Sequence, residues 1–145
     1  MRDRILLLAV FIGLAAAASA QSGAGTATVK LTGADLNVSG EYPTTLCGGA
    51  YIMGKGMSYQ ATAGDYRITI ASETRSSGEV ALNGTDGRIN VVATVSGKGK
   101  NLVRGPRNTG TLKVASDYKK AEATLQLRPI RGKETATLVA TFNCK

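Results

Sequence analysis

Apolar residues in this chain recur at every second position, and that alternation narrows the fold more than any other feature of the sequence. Val29 and Leu31; Tyr66, Ile68 and Ile70; Leu112 and Val114; Ala121, Ala123, Leu125 and Leu127; and Ala136, Leu138, Ala140 and Phe142 each put one residue type on one face of an extended segment. A helix would need a period near 3.6. Its best candidate, Lys119 to Arg128, also alternates and runs into Pro129. Between the alternating runs lie turn-forming clusters: Gly33-Ala34-Asp35, Ala63-Gly64-Asp65, Ser76-Ser77-Gly78, Asn83 to Gly87, Gly97 to Lys100, Arg104 to Arg107 and Arg131-Gly132-Lys133. The expected architecture is all-β: an antiparallel β-sandwich of about seven to eight short strands, with a compact β-barrel as the alternative.

The first twenty residues do not belong to this pattern. Met1-Arg2-Asp3-Arg4 is followed by an apolar run from Ile5 to Leu14 and by small residues ending Ala18-Ser19-Ala20, the layout of an export signal cleaved before Gln21. The apolar run is shorter than the roughly 20 residues that a bilayer core requires. No cysteine follows Ala20, so the expectation is an exported protein, periplasmic or secreted, with no lipid anchor. Residues 21–145 then form a single domain.

An exported chain with two cysteines points to a disulfide between Cys47 and Cys144. Such a bridge closes a loop of nearly the whole domain. In the chain-entropy picture that is worth roughly 4 to 5 kcal/mol.

The residues that usually carry chemistry are missing. There is no histidine, which removes the commonest general base and metal ligand. No Gly-x-Ser-x-Gly elbow occurs, and the carboxylates are scattered singly. Gly49 to Gly56 approaches a phosphate-binding loop but lacks the terminal Ser or Thr, and Met57-Ser58-Tyr59 continues it as a strand rather than a helix. Asn83 to Gly87 resembles a fragment of a calcium loop with one carboxylate, Asp86, and reads as a turn. The expectation is a protein that is not an enzyme and takes no cofactor or metal.

Two surfaces remain as binding candidates. Residues 97–145 carry eleven basic and three acidic side chains, whereas 21–96 carry five and six. Lys98, Lys100, Arg104, Arg107, Arg131 and Lys133 lie in glycine-containing turns that, if they share one end of the sheets, form a cationic rim for anionic polymers. The alternative is a role in solubility and edge protection. Nucleic acid is disfavoured, because this half offers only Tyr118 and Phe142 for stacking. The second surface is a ladder of Tyr51, Met53, Met57 and Tyr59, symmetric about Gly54-Lys55-Gly56, with Met53 opposite Met57 and Tyr51 opposite Tyr59. It faces the core or forms an adaptable apolar contact face.

The first cysteine follows Leu36-Asn37-Val38-Ser39-Gly40 and the last lies in Thr141-Phe142-Asn143-Cys144-Lys145. In these features the chain resembles the mycobacterial LpqH-type small lipoprotein antigens. The resemblance implies a β-rich, disulfide-closed surface domain without enzymatic activity, in which Cys47 and Cys144 form the matching bridge. Gln21 stands where those proteins carry an acylated cysteine, so their lipid-dependent activity does not carry over.

Together these readings describe an exported, non-catalytic binding module that takes an anionic envelope polymer or a protein partner. A structural or assembly subunit of the cell surface and an inhibitor of an exported enzyme are the alternatives. Native exported material is expected to start at Gln21 and to hold one cystine with no free thiol. Mass spectrometry with and without reduction checks both, and two reduced sulfurs would overturn the reading.

Overall fold

The computed structural model describes residues 25–50, 54–82, 90–105 and 110–145. The export signal, Tyr51, Met53, Arg107 and the Asn83 to Gly87 turn lie outside the described residues. Ten strands follow one another: β1 (Gly25–Gly33), β2 (Leu36–Gly49), β3 (Met57–Ala63), β4 (Tyr66–Ser72), β5 (Gly78–Glu79), β6 (Val91–Gly97), β7 (Lys100–Val103), β8 (Gly110–Val114), β9 (Lys120–Pro129) and β10 (Ala136–Cys144). Every pairing is antiparallel.

The circuit β1-β2-β3-β4-β6-β7-β9-β10 returns to β1 and closes an eight-stranded barrel. Strand β8 leaves the wall along β9, and the two-residue β5 adds to its far edge. The all-β, antiparallel class is as the alternation predicts. The sandwich expected from it is corrected to the barrel, for two local reasons. Strand β7 meets β9 through Leu102↔Pro129 and Val103↔Arg128, which seals what would be an open sheet edge. Strand β2 pairs with β1 as far as Pro43 and with β3 from Thr44, and register shifts between Thr44 and Leu46 and between Cys47 and Gly49 let it turn from one side of the wall to the other.

The barrel is filled by its own side chains. Strands β1, β9 and β10 send every second residue inward, and large residues face small ones across the ladder. Phe142 sits between Ala27 and Ala121, and Ala140 between Val29 and Ala123. Leu31, Leu138 and Leu125 fill the next layer and are fully buried. Side chains of this size are what the interior of a small barrel has room for.

Met57 and Tyr59 are buried at 0% and 1% exposure, in phase with Ala61 and Ala63 on the inner face of β3. The apolar contact face proposed for them is therefore corrected: both are core residues. Their pairing differs as well, because β2 continues to Gly49 and places Cys47, not Tyr51, opposite Tyr59. Gly56 takes φ +72° where a Cβ would lie 2.0 Å from the Ser72 carbonyl oxygen, so only glycine fits where the chain enters β3.

Replacing Leu138 by Ala is expected to destabilise the oxidised protein by about 2–5 kcal/mol through cavity formation. Thr137→Ala, one residue away on the outer face, is expected to stay within about 0.5 kcal/mol. Urea midpoints of the two variants check this, and equal effects would contradict the assignment of faces.

Candidate functional site: the four-turn end of the barrel

The two ends of the barrel are built differently. At one end Cys47 and Cys144 form a disulfide with a Cα–Cα distance of 5.5 Å and a sequence separation of 97. It joins the second half of β2 to the last residue of β10. The segment between β8 and β9 covers it: Tyr118, at φ 61°, accepts a 2.9 Å hydrogen bond on its carbonyl from the Tyr59 hydroxyl. The Arg75 guanidinium lies 4.1 Å from the centre of the Tyr118 ring and donates to the Gly48 carbonyl at 3.0 Å. Gly48 takes φ +73°, where a Cβ would come within 2.5 Å of the Tyr118 carbonyl oxygen. Tyr59 also packs against Phe142 with ring centres 5.5 Å apart. Burial pushes the Tyr59 phenol up to about 12, with Arg75 opposing the shift. These contacts hold a strand end in place.

The other end gathers four hairpin turns. Gly33 pairs with Leu36, Ala63 with Tyr66, and Gly97 with Lys100, so three of the turns have two residues each. Ala34 and Asp35 take φ 51° and 60°, and Lys98 and Gly99 take 45° and 73°, the left-handed pairs that suit the twist of a tight hairpin. The longer β9–β10 turn joins them, since a Cβ on Gly33 would lie 2.5 Å from the Thr135 carbonyl oxygen. A Cβ on Gly97 would likewise lie 2.1 Å from the Asp65 carbonyl oxygen.

Of the six predicted cationic residues, the structure brings four to this end. Lys98 and Lys100 tie turns together. The Lys98 ammonium lies 2.6 Å from an Asp65 carboxylate oxygen, and this hydrogen bond and charge raise its pKa. The Lys100 ammonium donates to the Ala34 carbonyl at 2.9 Å and lies 3.7 Å from Asp35. It thereby links the β6–β7 hairpin to the β1–β2 turn. Arg131 and Lys133 are exposed on the β9–β10 turn, beside Glu134 and next to Ile130, which is 68% exposed. Among the described residues neither cation has an ion-pair partner.

Arg104 does not join them, which corrects its place in the rim. It is 2% exposed, its backbone N–H donates to the Ala93 carbonyl at 2.9 Å, and its guanidinium reaches the Val91 carbonyl at 3.4 Å. Those contacts lie toward the start of β6, away from the turns. Burial lowers its pKa. Arg128, exposed on β9 shortly before the turn, does not fill the place of Arg104, because its guanidinium lies over Gly105, on the side of the strand away from the turn.

Beside the turns an open groove of about 520 Å³ runs between the first half of β2 and the β3–β4 turn. Asp35, Asn37, Ser39 and Tyr42 line one side, Asp65, Tyr66 and Lys98 the other. Of these residues the sequence singled out Lys98 alone as a candidate, because isolated Asp, Asn and Tyr in strands carry no motif. Among the described residues no cluster of three or more Cys, Asp or Glu side chains is placed to hold a metal ion. No protein family, curated protein or solved structure matches the chain.

The Tyr59 phenol titrates higher in the folded than in the unfolded chain, so the folded state holds its proton more tightly. Its contribution is complete below pH 10 and is lost as pH rises toward about 12. Denaturant unfolding from pH 9 to 12 is expected to show stability falling across this range, with a shallower fall in Tyr59→Phe. Equal slopes in the two proteins would contradict the burial of the phenol.

Proposed function

We propose that this protein is an exported, non-catalytic binding module that holds an anionic polymer of the cell envelope against the four-turn end of its barrel. The observation that carries the reading is the β9–β10 turn, where Arg131 and Lys133 stand exposed without carboxylate partners among the described residues. Export is supported by the leader-like first twenty residues and by the disulfide, a bond that persists in oxidising compartments. Binding rather than catalysis is supported by the absence of histidine from the sequence and by a filled barrel interior.

The division of the cations gives the mechanism. Lys98 and Lys100 hold neighbouring turns in register, so the β9–β10 loop projects from a fixed platform. Arg131 can then engage a phosphate, sulfate or carboxylate through its guanidinium fork while Lys133 supplies a mobile point charge. Such contacts are governed by long-range attraction and weaken with salt.

Binding to a polyanionic envelope polymer such as a teichoic acid or an acidic polysaccharide is expected to weaken at least about tenfold between 50 and 500 mM salt. Arg131→Glu with Lys133→Glu is expected to abolish it, and Lys55→Glu, on the loop before β3, is expected to leave it unchanged. Salt-independent affinity, or affinity that survives the double reversal, would remove this end from the account.

A further inference from the structure

The first half of β2 has one edge that no strand covers among the described residues. Residues 36–43 pair with β1 alone, and β3 joins only at Thr44↔Ala61. The register fixes which peptide groups face outward. Gly33↔Leu36 closes a two-residue turn and is therefore a hydrogen-bonded pair, so Val38, Gly40 and Tyr42 also bond to β1 in the alternating antiparallel ladder. The peptide groups of Asn37, Ser39 and Glu41 point the other way, into the seam between β2 and the β3–β4 turn. Pro43, which has no N–H, ends the strip at the next outward position. One outward group already has a stand-in: the Tyr42 hydroxyl folds back to donate to the Ser39 carbonyl at 3.3 Å.

This edge is one wall of the groove of about 520 Å³, which Ala63, Gly64, Asp65 and Tyr66 close on the far side. A groove bounded on both sides suits a single extended strand better than the edge of a second folded barrel. Its charge selects the strand. Asp35 keeps an 87% exposed carboxylate despite the Lys100 contact, and Glu41, exposed on the same side of β2, has no ion pair among the described residues. Asp65 across the groove is balanced by Lys98, and exposed Lys30 stands opposite Ser39 in the middle of the strip, which leaves Asp35 in the turn and Glu41 on β2 as exposed acids at its two ends.

We propose that the outward edge of β2 at residues 37–41 is a docking strip for an extended, basic segment of another protein, which adds to the sheet as a further strand. Main-chain hydrogen bonds to Asn37, Ser39 and Glu41 provide the register, and basic side chains meet Asp35 and Glu41. The incoming strand displaces the Tyr42 hydroxyl from Ser39. This site is separate from Arg131 and Lys133 and does not depend on the polymer reading.

The test uses the oxidised, isotope-labelled protein and a blocked octapeptide of alternating Lys and Val. In the free protein the Asn37, Ser39 and Glu41 amides exchange rapidly with solvent while those of Val38, Gly40 and Tyr42 are protected. On titration the first three shift and become protected, and the alternating Glu and Val peptide binds at least about tenfold more weakly. Ser39→Pro removes an outward N–H without touching the β1 ladder and is expected to weaken binding about tenfold. Arg131→Glu with Lys133→Glu leaves it unchanged, so failure here and failure of the polymer site are read separately. Should Ser39→Pro unfold the chain, backbone N-methylation of the peptide makes the same deletion from the other side. The proposal is overturned by slow exchange at residues 37, 39 and 41 in the free protein, by no saturable binding, by binding indifferent to both deletions, or by self-association through this edge.

Discussion

Closing a sheet on itself leaves an interior whose width is set by the side chains that fill it, and every other feature of this molecule rests on that match. The alanines of β1, β9 and β10 make room in the wall for Phe142 and the central leucines. A larger residue at Ala27, Ala121 or Ala123 would press against the core from the wall and force the strands apart. Because the interior is occupied, only the outer surface and the ends are open to a ligand.

The two ends divide the work. At one, the disulfide, Tyr118 and Arg75 hold the second half of β2 against the last strand. At the other, four turns lean on one another through Lys98, Lys100 and close backbone contacts at Gly33 and Gly97. Exposed ion pairs contribute modestly, and their effect here is to fix where turns sit more than how firmly the chain folds. The acidic groups of the rim are as important as the basic ones, since Asp35 and Asp65 decide which lysines stay available.

Much of the fold was legible in the sequence. The inward residues of β9 and β10, the turns at Gly33, Gly64 and Gly97, and the Cys47–Cys144 bridge all follow from period, turn chemistry and the presence of two cysteines in a chain expected to be exported. Closure did not, because the difference between a sandwich and a barrel lies in two ladder pairs between β7 and β9 and in the irregularities of β2, none of which has a residue signature. The core-facing reading of Met57 and Tyr59 holds, but their cross-strand partners were misplaced: symmetry about Gly54-Lys55-Gly56 suggested a tight hairpin, while the shifted β2 register brings Cys47 to Tyr59. Arg104 sits beside Gly105 and Pro106, a setting that reads as an exposed loop, and only the tertiary contact with β6 buries it. The rim was read by counting cations, which is blind to the carboxylates that topology sets beside them.

The span of the cystine has one more effect. Ninety-seven positions separate its two halves, so a protease that nicks any peptide bond between them releases no fragment. Both pieces stay covalently joined and remain paired through the sheet. A nicked molecule therefore keeps its mass until a reductant arrives, and release of a fragment requires two chemical events in sequence rather than one.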